Sequence, residues 1–252
     1  MKMEVFADER ATAQAAARAI AEEARCAIAA RGHFVMAVSG GHTPWIMLRA
    51  LADEDLPWQK IHVVQVDERV APTGDADRNL THLKQSLLDR SPIASEHIHA
   101  MPVESPNLQA AARQYALLLS KIAGSPARLD LVHLGLGPDG HTASLVPNDR
   151  ALYITAADVA LTGIYQGTRR MTLTYPIINR ARRILWLATG REKVDALRRL
   201  RQGSLLIPAG RVARLQAVLF ADLAASGEPA PAAAGPLPEK LRFRRASNSR
   251  SK

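Results

Sequence analysis

Cysteine is almost absent from this chain of 252 residues, whose one thiol is Cys26. A disulfide framework is therefore excluded, and a metal site built on cysteine thiolates is not expected. Aromatic residues make up only 4% of the chain, which argues against a surface on which nucleic-acid bases stack. No apolar run is long enough to cross a membrane and no secretory leader opens the sequence, so we expect a cytoplasmic protein.

Positive charge is in excess, with a formal net charge of +9. Residues 225–252 carry +4 of this charge, which leaves +5 for residues 1–224. A body of moderate positive charge suits an enzyme for anionic metabolites, and an arginine-rich surface explains the excess without nucleic acid as a partner. The last segment is rich in Ala, Pro and Gly and then in Ser and Arg, so it is expected to be a disordered tail behind one domain, 1–224.

Apolar strands alternate with helical segments along most of the chain. Several strands are nearly continuous apolar runs, which is typical of a parallel sheet that is covered by helices on both faces. We therefore predict an α/β fold with three layers, Rossmann-like, around a mostly parallel sheet. Ligands of such sheets bind at the carboxyl ends of the strands, here after Val38, Val66 and Leu136. The predicted strands are HFVMAVSGG (33–41), IHVVQVDER (61–69), RLDLVHLGLG (128–137), RRMTLTYP (169–176), RILWLATG (183–190) and AVLFAD (217–222). The main predicted helices are 8–31, 44–53, 79–90, 107–123 and 191–203.

The first strand end reads VSGGHTP, where Ser39, Gly40 and Gly41 form a turn directly before a helix. Free backbone N–H groups and the positive end of a helix dipole bind phosphate, and the hydroxyl groups of Ser39 and Thr43 add donors. The segment fits neither the Walker loop nor the dinucleotide fingerprint. A simple turn between a strand and a helix would explain the glycines equally, and His42 is expected to face solvent.

The second strand end reads VDERVAPTGDADRNL and places two acidic residues and an arginine after a buried strand. Asp67 is a candidate for orienting a neighbouring side chain, and Arg69 for binding a phosphate or carboxylate through two hydrogen bonds. A surface salt bridge at the end of the sheet is an equal alternative.

The third strand end reads LGLGPDGHTASLVPND, in which glycines allow a tight path and Asp139 precedes His141 by two positions. Histidine beside a carboxylate is a usable general base, because the ordinary pKa of histidine lies close to neutral. A Ser144 nucleophile is not expected, because the G-x-S-x-G context is missing. Arg170 and Lys193 follow near later strands as possible ligands or solvated charges. The other histidines have no metal-ligand spacing, so no metal site is predicted; they are His33, His62, His82, His97, His99 and His133.

Four segments, in order over residues 1–224, resemble the 6-phosphogluconolactonase family. They are AVSGGHTPWIMLRAL (37–51), WQKIHVVQVDERVAPTGDADRNL (58–80), LDLVHLGLGPDGHTASLVPN (129–148) and RRMTLTYPIINRARRILWLATGREK (169–193). The resemblance implies the fold shared with glucosamine-6-phosphate deaminase and ribose-5-phosphate isomerase. It also implies hydrolysis of 6-phospho-D-glucono-1,5-lactone in the oxidative pentose phosphate pathway, without cofactor, by a protein that we expect to be monomeric.

The same resemblance assigns roles to individual residues. His141 would be the base that activates water, with Asp139 or Asp67 orienting its ring. The remaining matched positions would bind substrate and its phosphate: Ser39, Gly40, Gly41, Thr43, Arg69, Asn79, Gly140, Arg170 and Lys193.

Two alternatives remain open, a deaminase-like isomerase and a sugar-phosphate-binding protein without catalysis. The deaminase family carries a glutamate where this chain has Val146, which cannot move a proton. The chain also departs from the lactonase pattern, since Arg78 and Leu80 replace a serine and a tyrosine and His42 replaces a small residue. These departures bear on the substrate contacts of that wall.

Overall fold

The computed structural model describes residues 1–227, and its centre is a seven-stranded sheet in which every neighbouring pair is parallel. The strands are β1 Lys2–Phe6, β2 Phe34–Val38, β3 Ile61–Gln65, β4 Asp67–Arg69, β5 Ile98–His99, β6 Leu131–Gly135, β7 Val159–Tyr165, β8 Thr168–Leu173, β9 Arg183–Ala188 and β10 Ala217–Asp222. The helices are α1 Glu9–Arg31, α2 His42–Ala52, α3 Asn79–Leu83, α4 Leu108–Ala123, α5 Tyr175–Arg180, α6 Val194–Gln202 and α7 Leu223–Ser226. The order in the main sheet is β1-β10-β9-β6-β2-β3-β5, and β4-β8-β7 form a second, antiparallel sheet.

Helices cover both faces of the main sheet, which confirms the predicted three layers. Because successive side chains of a strand point to opposite faces, Phe34 and Met36 of β2 pack with α1 and α2. Val35 and Ala37 of the same strand pack on the opposite side with α4 and α6. All five residues of β2 are buried, as expected for a strand in the middle of a covered parallel sheet.

The first helix begins and ends where its capping residues predict. The Asp8 side chain accepts a hydrogen bond of 2.8 Å from the Ala11 N–H, and Gly32 ends the helix in the left-handed conformation with φ 84°. The second helix begins at His42, two residues before the predicted start. Pro44 is nevertheless tolerated, because the N–H groups of the first helical turn have no partner inside the helix.

The strand predicted over 61–69 is broken at Val66, and its two halves belong to different sheets. The Val66 N–H donates to the Val38 carbonyl in the main sheet at 3.1 Å, while the Leu173 N–H donates to the Val66 carbonyl at 2.7 Å. The predicted strand at 169–176 is likewise antiparallel and pairs with β4 and β7. The second sheet therefore stands against the carboxyl end of the main sheet, at the edge where ligands bind.

The predicted tail lies almost entirely outside the described residues, which end at 227. Its first residues belong to α7, where Ala225 is fully buried. Within residues 1–227, no helix combines the length and the apolar character that a membrane span requires.

Candidate active site

A cleft of about 580 Å³ opens at the carboxyl end of the main sheet, between that sheet and the β4-β8-β7 sheet. All three predicted strand ends contribute to its walls. The predicted site residues that line it are Ser39, Gly40, Gly41, Thr43, Asp67, Arg69, Asn79, His141, Arg170 and Lys193. Asp139 and Gly140 do not line the cleft, and their positions are described below.

The His141 ring lies against the Asp139 carboxylate, with 2.6 Å between Nδ1 and Oδ1. The His141 backbone N–H donates to the same oxygen at 3.1 Å. Because an ionised carboxylate only accepts hydrogen bonds, this contact places the ring hydrogen on Nδ1 and leaves a lone pair on Nε2. Partial burial by itself would raise the pKa of Asp139, but the nearby imidazole and the hydrogen bonds lower it overall. The carboxylate is thus held in the charged form that orients the ring.

Glycine is required at two positions of this loop for different reasons. A Cβ at Gly137 would lie 2.1 Å from His141 Nδ1 and 2.7 Å from Asp139 Oδ1, so any side chain would displace the pair. Gly140 has φ +81°, and its missing side chain makes room for Ile207, whose Cβ would be 2.5 Å away. Gly140 therefore allows Ile207 to pack closely behind the turn, and the substrate contact that the resemblance implies for Gly140 stays a prediction.

Tyr165, which was not among the predicted site residues, contacts the carboxylate of this pair on its other side. Its hydroxyl donates to Asp139 Oδ2 at 3.1 Å, and its ring meets the His141 ring edge-on at 5.6 Å between centroids. The Arg170 guanidinium lies 5.0 Å from the centre of the Tyr165 ring. The tyrosine thus links the carboxylate, the imidazole and a cation.

Asp67 makes its hydrogen bonds away from His141. It accepts 2.5 Å and 3.3 Å bonds from Ser144 Oγ and Asn79 Nδ2. Burial raises the pKa of Asp67, although Ser144 and the two nearby arginines oppose that shift. Of the two carboxylates proposed to orient the imidazole, Asp139 is the one in contact with it, and Asp67 forms part of the wall.

Arg69 and Arg170 stand directly opposite each other on β4 and β8. Arg69 Nη1 donates to the Asp77 carbonyl and to Asn79 Oδ1, and Arg170 Nη2 donates to Gln166 Oε1. Neither guanidinium forms an ion pair with a carboxylate in the part of the chain that the structure describes, and each has a buried Nε without a partner. Burial and the neighbouring Arg69 lower the pKa of Arg170. Like charges placed opposite each other are unfavourable unless an anion joins them.

Two of the three departures from the family pattern, Arg78 and Leu80, lie outside the cleft, and the third, His42, lies at its rim. Arg78 is buried, with Nε 3.5 Å from Glu68 Oε2 and Nη1 3.1 Å from Glu104 Oε1. Glu68 is fully buried and accepts 2.8 Å hydrogen bonds from the backbone N–H groups of Asn79 and Leu80. Arg78 therefore supports the start of α3, and neither Arg78 nor Leu80 lines the cleft.

The turn after β2 presents fewer donors than the sequence indicated. The Ser39 N–H donates to His133 Nδ1 at 3.2 Å, and Ser39 Oγ donates to the His133 carbonyl at 3.0 Å. His133 is fully buried, which lowers its pKa to about 3 and keeps its ring neutral. The N–H groups of Gly40 and Gly41 have no partner among the described residues. Gly40 must be glycine, because a Cβ there would lie 2.0 Å from Asn79 Oδ1.

Glu9, from the first turn of α1, is an acidic residue of the cleft that sequence reasoning missed. Thr43 donates its hydroxyl hydrogen to Glu9 Oε1, and Thr43 Oγ1 lies 2.6 Å from Thr189 Oγ1. Lys193 stands at the same end of the cleft, 3.6 Å from Glu192. The His42 side chain is 75% exposed at the rim, in agreement with the prediction that it faces solvent.

Four histidines lie together at the opposite end of the strands: His33, His62, His97 and His99. His62 Nδ1 and His99 Nε2 are 3.0 Å apart, which is a hydrogen bond between two neutral rings. Burial, with the neighbouring histidines, lowers the pKa of His62 to about 4. No group of three or more ligating side chains able to hold a metal ion was found in residues 1–227.

Comparison with known proteins assigns this arrangement to a family. The family model described as glucosamine-6-phosphate isomerases/6-phosphogluconolactonase matches residues 7–220. A 6-phosphogluconolactonase of Synechocystis is 42% identical over 176 residues, which are 68% of this chain and 72% of that protein. One of Nostoc is 37% identical over 200 residues, 77% of this chain and 82% of that protein. The crystal structure of 6-phosphogluconolactonase from Thermotoga maritima superimposes with a TM-score of 0.78 at 25% identity, covering 88% and 98% of the two chains. The chain belongs to the glucosamine-6-phosphate isomerase/6-phosphogluconolactonase family.

Proposed function

We propose that this protein hydrolyses 6-phospho-D-glucono-1,5-lactone to 6-phospho-D-gluconate, the lactonase step of the oxidative pentose phosphate pathway. Relatives that are 42% and 37% identical to this chain over the matched residues are named 6-phosphogluconolactonases. The structural observation that carries the proposal is the contact between His141 and Asp139 in a cleft that also holds two arginines without carboxylate partners. The contact supplies an oriented base, and the arginines supply charge for an anionic substrate.

The reaction follows from the tautomer of His141. Its Nε2 lone pair removes a proton from a water molecule while the water oxygen bonds to the lactone carbonyl carbon. The carbonyl oxygen becomes an oxyanion, which the positive charge of Arg170 stabilises; one well-placed donor contributes roughly 3 kcal/mol to such a step. The imidazolium then returns its proton to the ring oxygen as the carbon–oxygen bond breaks. The oxyanion collapses to a carboxylic acid, which ionises, and the former ring oxygen becomes a hydroxyl group of the same open-chain product.

The phosphate of the substrate would bind at the end of the cleft away from His141. The free N–H groups of Gly40 and Gly41 precede the start of α2, whose dipole favours an anion there. Lys193 lies at this end, and Asn79 connects Gly40 to Arg69. A phosphate held here would place the lactone ring toward His141.

Neither alternative gains support from a contact in the cleft. Val146 is buried, and its side chain offers no carboxylate for the ring opening that a deaminase requires. A binding protein without catalysis would have no use for the alignment of Asp139 with the imidazole, which Gly137 makes possible. Hydrolysis accounts for both features.

We further propose that the protein acts as a monomer in the cytoplasm and that its partner is this small molecule rather than nucleic acid. A phosphate ester is charged and does not cross a bilayer unaided, which favours the compartment where such esters are made.

The test is a coupled assay in which 6-phosphogluconate is oxidised by its dehydrogenase. We expect His141→Ala to lose at least 100-fold in kcat, a typical loss when a general base is removed. His82→Ala is the matched control, because His82 lies outside the cleft and bonds to the Ala76 carbonyl. Full turnover by the His141 variant, or release of ammonia from glucosamine 6-phosphate by the natural protein, would overturn the proposal.

A further inference from the structure

An acidic side chain in a cleft for a phosphorylated substrate needs an explanation, and Glu9 is such a side chain. It lies in the first turn of α1, directly after the capping residue Asp8. Its carboxylate is 36% exposed, so it reaches from the helix into open space rather than into the core. The mechanism above assigns it no role.

The Glu9 carboxylate accepts a hydrogen bond from the Thr43 hydroxyl group, at the phosphate end of the cleft. Thr43 donates its only hydroxyl hydrogen to Glu9 Oε1. Thr189 Oγ1 lies 2.6 Å from Thr43 Oγ1, so its hydroxyl can donate only into the same chain of contacts. Glu9 Oε2 is also 3.6 Å from His42 Nε2, at the rim. The Glu9 carboxylate thus lies within reach of two side chains around the turn after β2, Thr43 and His42.

A phosphate monoester at this turn would need the same donors. It carries a charge of about −1.5 to −2 at neutral pH and binds through hydrogen-bond donors. The backbone N–H groups of Gly40 and Gly41 have no other partner among the described residues and can bind phosphate directly. The hydroxyl hydrogen of Thr43 can do so only after its bond to Glu9 is broken. While Glu9 stays in place, it also repels the phosphate.

We propose that Glu9 limits the affinity of the site for phosphate by competing, as an internal anion, with the substrate phosphate for Thr43. The inference rests on the proposed function, because it takes the turn at 39–43 as the phosphate site. Its consequence is a weaker affinity for phosphate groups than the cleft would otherwise have. A single charge about 6 Å from a phosphate dianion in water-like surroundings changes affinity roughly tenfold.

The experiment compares the natural protein with Glu9→Gln by two measurements. Calorimetric titration with inorganic phosphate reports on the site alone, and the coupled assay reports KM and kcat for the lactone. We expect the Kd for phosphate and the KM each to fall about three- to tenfold, with the effect in KM rather than in kcat. Glu22→Gln is the matched control, since it removes the same charge from an exposed position of the same helix.

Glu9→Asp provides a second variant that keeps the acidic residue at the start of α1 and shortens the side chain by one methylene group. It should release Thr43 but retain the repulsion, and therefore lower the Kd for phosphate by less than Glu9→Gln. Circular dichroism confirms that each variant is folded.

Two failures are distinguishable. If the natural protein binds phosphate but does not hydrolyse the lactone, the proposed function is wrong, and the calorimetric comparison still tests Glu9. If the natural protein turns over normally and Glu9→Gln shows an unchanged or higher Kd and KM, the role of Glu9 is overturned.

Discussion

Replacing Asp139 by asparagine removes one charge from the site and leaves its shape almost unchanged. The Oδ1 position receives two hydrogens, from His141 Nδ1 at 2.6 Å and from the His141 backbone at 3.1 Å. These two donors select the amide oxygen for that position, and the amide nitrogen then faces the Tyr165 hydroxyl, which can accept from it. The ring should therefore keep its hydrogen on Nδ1, and the variant tests the charge of the carboxylate.

The size of the effect follows from the contact. A hydrogen bond to a charged group contributes about 1.5–3 kcal/mol. Because the Asp139 side chain is 36% exposed, solvent screening places the value at the lower end, about 1.5–2 kcal/mol. The charge matters most when the imidazole has taken the proton from water, so this energy is lost from the transition state. We expect kcat to fall about 10- to 30-fold, at roughly 1.4 kcal/mol for each factor of ten.

The coupled assay measures this fall once the spontaneous hydrolysis of the lactone has been subtracted. Asp89→Asn is the matched control, because Asp89 is exposed and lies outside the cleft. Since the pKa of Asp139 lies below its ordinary value, its carboxylate stays charged through mildly acidic pH, and the comparison is valid from neutral to mildly acidic buffers. A kcat within twofold of the natural protein would refute the orienting role of this carboxylate.

Two further predictions concern charge and acid. Arg69→Ala should raise KM for the phosphorylated lactone about tenfold and raise KM for an unphosphorylated gluconolactone less. An equal increase in KM for both substrates would argue against a phosphate contact. The natural protein should lose stability as the pH falls below 6.5, because His62 and His133 bind a proton less readily in the folded than in the unfolded state. Urea unfolding between pH 7 and pH 4.5 measures this slope, which His62→Gln should make less steep and His82→Gln should leave unchanged; an identical slope in His62→Gln would contradict the reasoning.

The strand ends and their glycines were predictable because their signals are local. The run before Gly135 is apolar, the glycines interrupt it, and His141 follows Asp139 at a spacing that allows both to meet across one turn. The capping residues of α1 were equally visible. The resemblance to the family then supplied the order of the segments, which the matched range of 7–220 confirms.

The contacts between distant segments could not be read in the same way. The β7-β8 hairpin places Tyr165 next to Asp139, 26 positions away in the sequence, and no pattern in VALTGIY predicts this contact. His133 lies in the middle of an apolar strand, so its bond to the Ser39 N–H becomes visible only when β6 lies beside β2. The break at Val66 depends on two partners that belong to different sheets.

That break also ties the two sheets to each other. Val66 is bonded on one side to β2 and on the other to β8, so the small sheet cannot slide over the large one without breaking one of these two hydrogen bonds. The β7-β8 hairpin extends from this junction, and its tip brings Tyr165 to Asp139 and Gln166 to Arg170. A change in the length of the hairpin would therefore disturb the carboxylate beside the imidazole and one of the two arginines at the same time.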